Sequence, residues 1–152
     1  MTATLRSVLV AFAFGLLAVA SAHAESAKHR VVIQVDQNDP AVMNLALNNA
    51  QNIVEYYRDK HEDANVEIVA YGPGLNMLRD DSSPVKDRIA HIASAEATFP
   101  SKIVFSACNN TLQGMQKREG HKITIIPQAG IVPSGAVRIM HLEEQGWSYV
   151  RP

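Results

Sequence analysis

The stretch Val31-Val32-Ile33-Gln34-Val35-Asp36, followed at once by Gln37-Asn38-Asp39-Pro40, decides the fold. Its β-branched, nearly uninterrupted apolar run reads as a strand buried on both faces. Asp39 is placed to cap a helix, and Pro40 suits that helix's first turn. From Val42 the apolar or small positions 42, 45, 46, 49, 53, 56 and 57 step by three and four, which predicts one buried helical face with Asn49 as its polar exception. Strand and helix then alternate along the chain. Val66 to Tyr71 (VEIVAY) is a second strand, broken by Gly72-Pro73-Gly74, and Leu75 to Leu78 form a short turn or helix. Ser83-Pro84 opens a second helix carrying Val85, Ile89, Ile92 and Ala93. Ile103 to Ala107 is a third strand, and Asn109-Asn110-Thr111 opens a third helix carrying Leu112 and Met115 and closed by Gly120. Lys122 to Ile126 (KITII) predicts a fourth strand, and residues 127–133, containing Gly130, predict a loop. Ser134 caps a fourth helix carrying Val137, Met140 and His141 up to Gly146, and Trp147 to Val150 is a short closing strand. Alternation without hairpin turns predicts an α/β domain with a mostly parallel sheet and helices on both faces.

The 152 residues suffice for one domain. The start reads as a secretory signal peptide over residues 1–24. Arg6 supplies the positive n-region, and Val8 to Ala20 is an apolar run too short to span a bilayer. Ala22-His23-Ala24 places small residues where cleavage before Glu25 needs them. This leaves 25–152 as a single domain, periplasmic or secreted, with no membrane attachment after cleavage. Without Arg6, thirteen basic residues stand against fifteen acidic ones with no basic run, which argues against nucleic acid as a partner.

Cys108 is the only cysteine, in a chain expected in an oxidising compartment. It is buried and inert, paired between subunits, or kept as a reactive thiol. Its position just past a strand and just before a helix gives it free backbone N–H groups and the positive end of the helix dipole, both of which favour a thiolate. The following residues, Asn109, Asn110 and Thr111, are polar rather than core-like. Free cysteine is also a frequent core filler, so packing remains the alternative. Nothing else in the sequence points strongly to chemistry. The histidines of the domain are not spaced as metal ligands, no nucleotide-loop or nucleophile-elbow motif occurs, and neither a metal nor a cofactor is expected. Asp36 and Asp39 read as a strand end and a cap, and Asp80 and Asp81 as a solvated loop. Tyr56, Tyr57, Trp147 and Tyr149 read as core or subunit-contact aromatics.

The segments VVIQVDQNDPAVMNLALNNAQNIVEYY, VEIVAYGPGLNML, IVFSACNNTL and IIPQAGIVPSGAVRIMHLEEQGWSYVRP together resemble the DsrE family of small α/β proteins, over nearly all of residues 25–152. The resemblance implies a three-layer α/β/α sandwich around a five-stranded, mainly parallel sheet. It also implies homo- or hetero-oligomers, often trimers or hexamers. In the sulfur-relay members a cysteine after the third strand carries sulfur as a persulfide, and Cys108 matches that position. Asn109, Asn110 and Thr111 would then supply contacts around it, and a donor or acceptor of sulfur would be the partner. The signal peptide departs from the familiar cytoplasmic relays, and there is no second cysteine to resolve a persulfide within the chain. A non-catalytic binding or assembly module with an inert cysteine is the competing reading.

Overall fold

A computed structural model describes residues 27–152; the predicted signal peptide lies outside the described residues. The elements are β1 (His29–Val35), α1 (Pro40–Arg58), β2 (Ala64–Ala70), a 3-10 helix (Gly72–Leu78), α2 (Lys86–Glu96), β3 (Lys102–Cys108), α3 (Asn109–Glu119), β4 (Ala129–Val132), α4 (Gly135–Glu144) and β5 (Ser148–Val150). The five strands form one sheet in the order β4-β3-β2-β1-β5, and every pairing is parallel. The predicted α/β sandwich with a five-stranded sheet is the fold observed.

This strand order dictates where the helices lie. From β1 through β4 the chain steps across the sheet in one direction. Right-handed crossovers therefore put α1, the 3-10 helix, α2 and α3 on the same face. The step from β4 to β5 runs the opposite way, past all the other strands, and puts α4 on the second face, the only helix there among the described residues. The two cores follow this division. The larger packs Ile33, Val35, Ile68 and Phe105 against Met43, Leu47, Leu75, Ile89 and Leu112. The smaller packs Val32 and Val69 against Ile139 and Leu142 of α4, flanked by Tyr71 and Trp147.

Capping follows the local sequence. Asp39 accepts a hydrogen bond from Ala41 N–H at 2.8 Å, Ser134 accepts from Val137 N–H, and Gly120 closes α3 with a left-handed φ of 73°. Three expectations are corrected. Lys122 to Ile126 is not the fourth strand. It runs antiparallel beside the residues that follow the 3-10 helix, with a bridge from Arg79 to Ile125 and hydrogen bonds from Asp80 N–H to Thr124 O and from Ile126 N–H to Leu78 O. Ile123 and Ile126 bury their side chains there, so the β-branched run serves the core without joining the sheet. The strand is instead Ala129–Val132, inside the expected loop. The buried stripe of α1 is Met43, Ala46, Leu47, Ala50 and Val54, rotated from the predicted one, and Leu45 faces solvent. On α4, Val137, Met140 and His141 are exposed while Ile139 and Leu142 point inward.

One polar group is buried beneath α4. Glu67 of β2 is 2% exposed, and Arg138 grips it from α4 with Nε and Nη2, each 2.7 Å from a carboxylate oxygen. Ser106 of β3 donates to the same carboxylate at 2.6 Å. On the other face Gly74 presses the start of the 3-10 helix against β1 so closely that a Cβ would stand 2.2 Å from Val35 O.

Gly74→Ala is expected to destabilise the protein by about 1–3 kcal/mol in urea denaturation, since backbone must move to admit the methyl. Arg138→Met, which strands the buried Glu67 carboxylate, should cost about 3 kcal/mol, whereas the double change Glu67→Met/Arg138→Met should recover most of that loss. A double variant as unstable as the single one would show that burial of the carboxylate is not the source of the cost.

Candidate functional site

Cys108 is the last residue of β3 and the N-cap of α3, with extended backbone at φ −71° and ψ 115°. On β4 its register partner is Val132, two residues before the Ser134 cap of α4. The N-termini of α3 and α4 therefore meet at the thiol. Only 4% of Cys108 is exposed. Burial alone pushes the thiol pKa up. The Thr111 hydroxyl and the backbone N–H groups of Thr111, Gly135 and Asn110 oppose it as donors to the sulfur, and the net result is a pKa below the ordinary thiol value. Thr111 is itself oriented: Gly72 N–H donates to its Oγ1 at 2.9 Å, which leaves the hydroxyl hydrogen free to turn to sulfur.

Position 135 has to be glycine because Tyr71 packs directly against it. A Cβ at position 135 would come within 2.8 Å of Tyr71 Cβ and 2.9 Å of its Cδ1. Burial, then the charge of Asp36, raises the Tyr71 pKa; Tyr149 and Cys108 add to the rise and Arg151 opposes it. A polar chain continues from there across the carboxyl ends of β1 and β5. Tyr149 Oη donates to Gln34 Oε1 at 2.6 Å, Gln34 Nε2 donates to Asp36 at 2.8 Å, and Arg151 pairs with Asp36 at 3.3 Å.

The structure treats the three predicted neighbours differently. Thr111 contributes both hydroxyl and N–H to the sulfur, and Asn110 contributes its N–H, which also reaches Pro133 O at 3.3 Å. Asn109 is half-buried and is not among the groups that move the thiol most. Two clefts flank the site. One, of about 510 Å³, opens between the 3-10 helix and α3 and includes Asn110 and Thr111 in its wall. A smaller one, of about 180 Å³, runs beside α4 past Val132, Pro133, Val137, Arg138 and His141. Cys108 lines neither, so Thr111 on one side and the start of α4 on the other stand between it and the clefts. Sequence reading missed Gly135, Tyr71 and Gly72. All three lie in or beside the Gly72-Pro73-Gly74 break and the expected 127–133 loop, but only the strand order shows that these segments converge. Among the described residues, no group of three or more His, Cys, Asp or Glu side chains is arranged to hold a metal ion, and no helix is long and apolar enough to cross a membrane.

Because the thiolate is held by donors against burial, Thr111→Val is expected to move the pH midpoint of Cys108 alkylation upward. The rate at neutral pH should fall about tenfold, the worth of one hydrogen bond to a charged group. An unchanged pH profile in a folded variant would remove Thr111 from the site.

No family model matches the chain, and no curated protein does. Among solved structures the chain is similar to the protein of unknown function MTH1491 from Methanobacterium thermoautotrophicum. The two share 28% sequence identity at a TM-score of 0.66, over 82% of this chain and 99% of that one.

Proposed function

We propose that this protein is an exported, DsrE-like sulfur carrier that holds sulfane sulfur as a persulfide on Cys108. The observation that carries the reading is the place of Cys108, the N-cap of α3 and the register partner of Val132 two residues before the cap of α4, where the N–H ends of two helices favour the thiolate. In the loading step the Cys108 thiolate attacks the outer sulfur of a persulfide donor, R–S–SH. The donor's S–S bond breaks, RS⁻ leaves, and Cys108–S–SH forms. In the unloading step an acceptor thiolate attacks that outer sulfur and Cys108 leaves as thiolate. Neither step needs an external oxidant or reductant. The same helix starts stabilise the charge on the sulfur that Cys108 presents at the start and end of the cycle. With no second cysteine in the chain, the acceptor is another protein or a small thiol. Operation in the periplasm or outside the cell rests on the signal-peptide reading of residues 1–24. Assembly into a homo-oligomer is supported by the apolar side chains of Val104, Val137 and Met140, which are exposed on the face that α4 covers alone.

One observation favours the competing reading, a non-catalytic assembly module with an inert cysteine: Cys108 is only 4% exposed, and a reactive thiol needs access. Intact mass of the unreduced protein, before and after exposure to polysulfide, separates the two. The carrier reading expects mass gains of whole sulfur atoms in the wild type that reductant removes, and none in Cys108→Ser. A wild type that takes up no sulfur, with a thiol that also resists alkylation under native conditions, would establish the inert reading.

A further inference from the structure

The broad cleft between the 3-10 helix and α3 is separated from the Cys108 sulfur by Thr111, and its lining suggests a role of its own. We propose that it binds a small peptide-like carboxylate, a molecule of dipeptide size bearing amide groups and one carboxylate. Three asparagines line it from three segments: Asn38 from the β1–α1 loop, Asn76 from the 3-10 helix and Asn110 from α3. Asn76 Nδ2 donates to Pro73 O at 2.9 Å, while the side chains of Asn38 and Asn110 make no hydrogen bond to another side chain or backbone group among the described residues. Each carboxamide offers both donor and acceptor atoms, which is the complement of a peptide group.

The charge in the cleft is equally selective. Glu119 is committed to Arg79, which reaches its two oxygens at 2.7 and 2.9 Å. Arg118 has no carboxylate partner among the described residues and so remains the cation available to a ligand. One guanidinium suits one carboxylate; a phosphate site would be expected to gather several cations or a glycine-rich loop.

Gly114 supplies a separate argument. It sits in the interior of α3, where glycine weakens a helix, and it faces the cleft. No close packing explains it: a Cβ there would meet only the flexible tip of Arg118, at 3.4 Å from Nη1. Its missing side chain keeps the cleft wall open and lets the guanidinium of the residue one turn later lie across it. The volume of about 510 Å³ is ample for a ligand of this size. The site does not depend on the sulfur chemistry of Cys108.

The test is an NMR titration of the purified protein with N-acetyl-L-alanyl-L-alanine, and with the same molecule carrying a terminal amide in place of the carboxylate. Saturable shifts in the low millimolar range are expected at the amide groups of Asn38, Asn76 and Asn110, with the acid binding about tenfold more tightly than the amide. Arg118→Ala should abolish that preference, Gly114→Leu should abolish binding of both, and Cys108→Ser should change neither. Gly114→Ala should fold with an unchanged or higher melting temperature. Absence of saturable shifts, equal binding of acid and amide to the wild type, or a lowered melting temperature for Gly114→Ala would overturn the proposal. Failure of sulfur loading would leave it standing, because binding is measured equally in Cys108→Ser.

Discussion

Arg138 meets Glu67 through two short hydrogen bonds beneath the single helix that covers its face of the sheet, and much of the candidate site hangs on that contact. The opposite face is packed by three α-helices and the 3-10 helix, so its register is fixed by many apolar contacts. α4 has few: Ile139 and Leu142 against Val32 and Val69, with Tyr71 and Trp147 at the margins. Apolar burial of that extent is weakly directional and would tolerate sliding or rotation of a ten-residue helix. A bidentate guanidinium–carboxylate pair tolerates neither, because both oxygens must face the planar fork together. The pair thus sets the rotation of α4. That rotation turns Gly135, at the helix start, towards Tyr71 and the Cys108 sulfur.

At Cys108 two effects oppose each other. Removal from water favours the neutral thiol; donors from α3 and α4 favour the thiolate and prevail. Enclosure and activation come from the same groups. The start of α4 that helps shut the thiol away from solvent also contributes the Gly135 N–H. The backbone supplies three of the four donors, so most of this environment is insensitive to the side chains that surround it.

The sequence made the parallel α/β architecture legible because each strand–helix unit carried local signals: β-branched runs, Asp39 and Ser134 as caps, and Gly120 and Gly146 as stops. The phase of α1 was ambiguous, because Val42, Met43, Leu45, Ala46 and Leu47 are apolar nearly all round the helix. The sheet selected Met43 and Leu47 over Val42 and Leu45. The fourth strand was hidden because its residues, Ala129-Gly130-Ile131-Val132, have weaker strand character than the Lys122–Ile126 run before them. At a sheet edge, pairing with one neighbour is enough to make even such a segment a strand. Cys108, Asn110 and Thr111 could be found from their place after β3. Gly135 could not, since its approach to the thiol depends on α4 crossing the opposite face, a consequence of strand order that local periodicity does not encode.

The position of β5 beside β1 has a consequence for how the chain reaches this structure. β1 precedes the other strands, yet among the described residues one of its edges is paired only by Ser148–Val150 and one of its faces is covered only by α4. During synthesis Val32 and Val69 therefore stay uncovered until Ile139 and Leu142 of α4 have been added. The carboxyl-terminal segment closes a loop spanning almost the whole domain, a contact of high sequence separation whose closure entropy slows folding. A chain arranged in this way keeps one face of its sheet apolar and one edge unpaired until α4 and β5 arrive together.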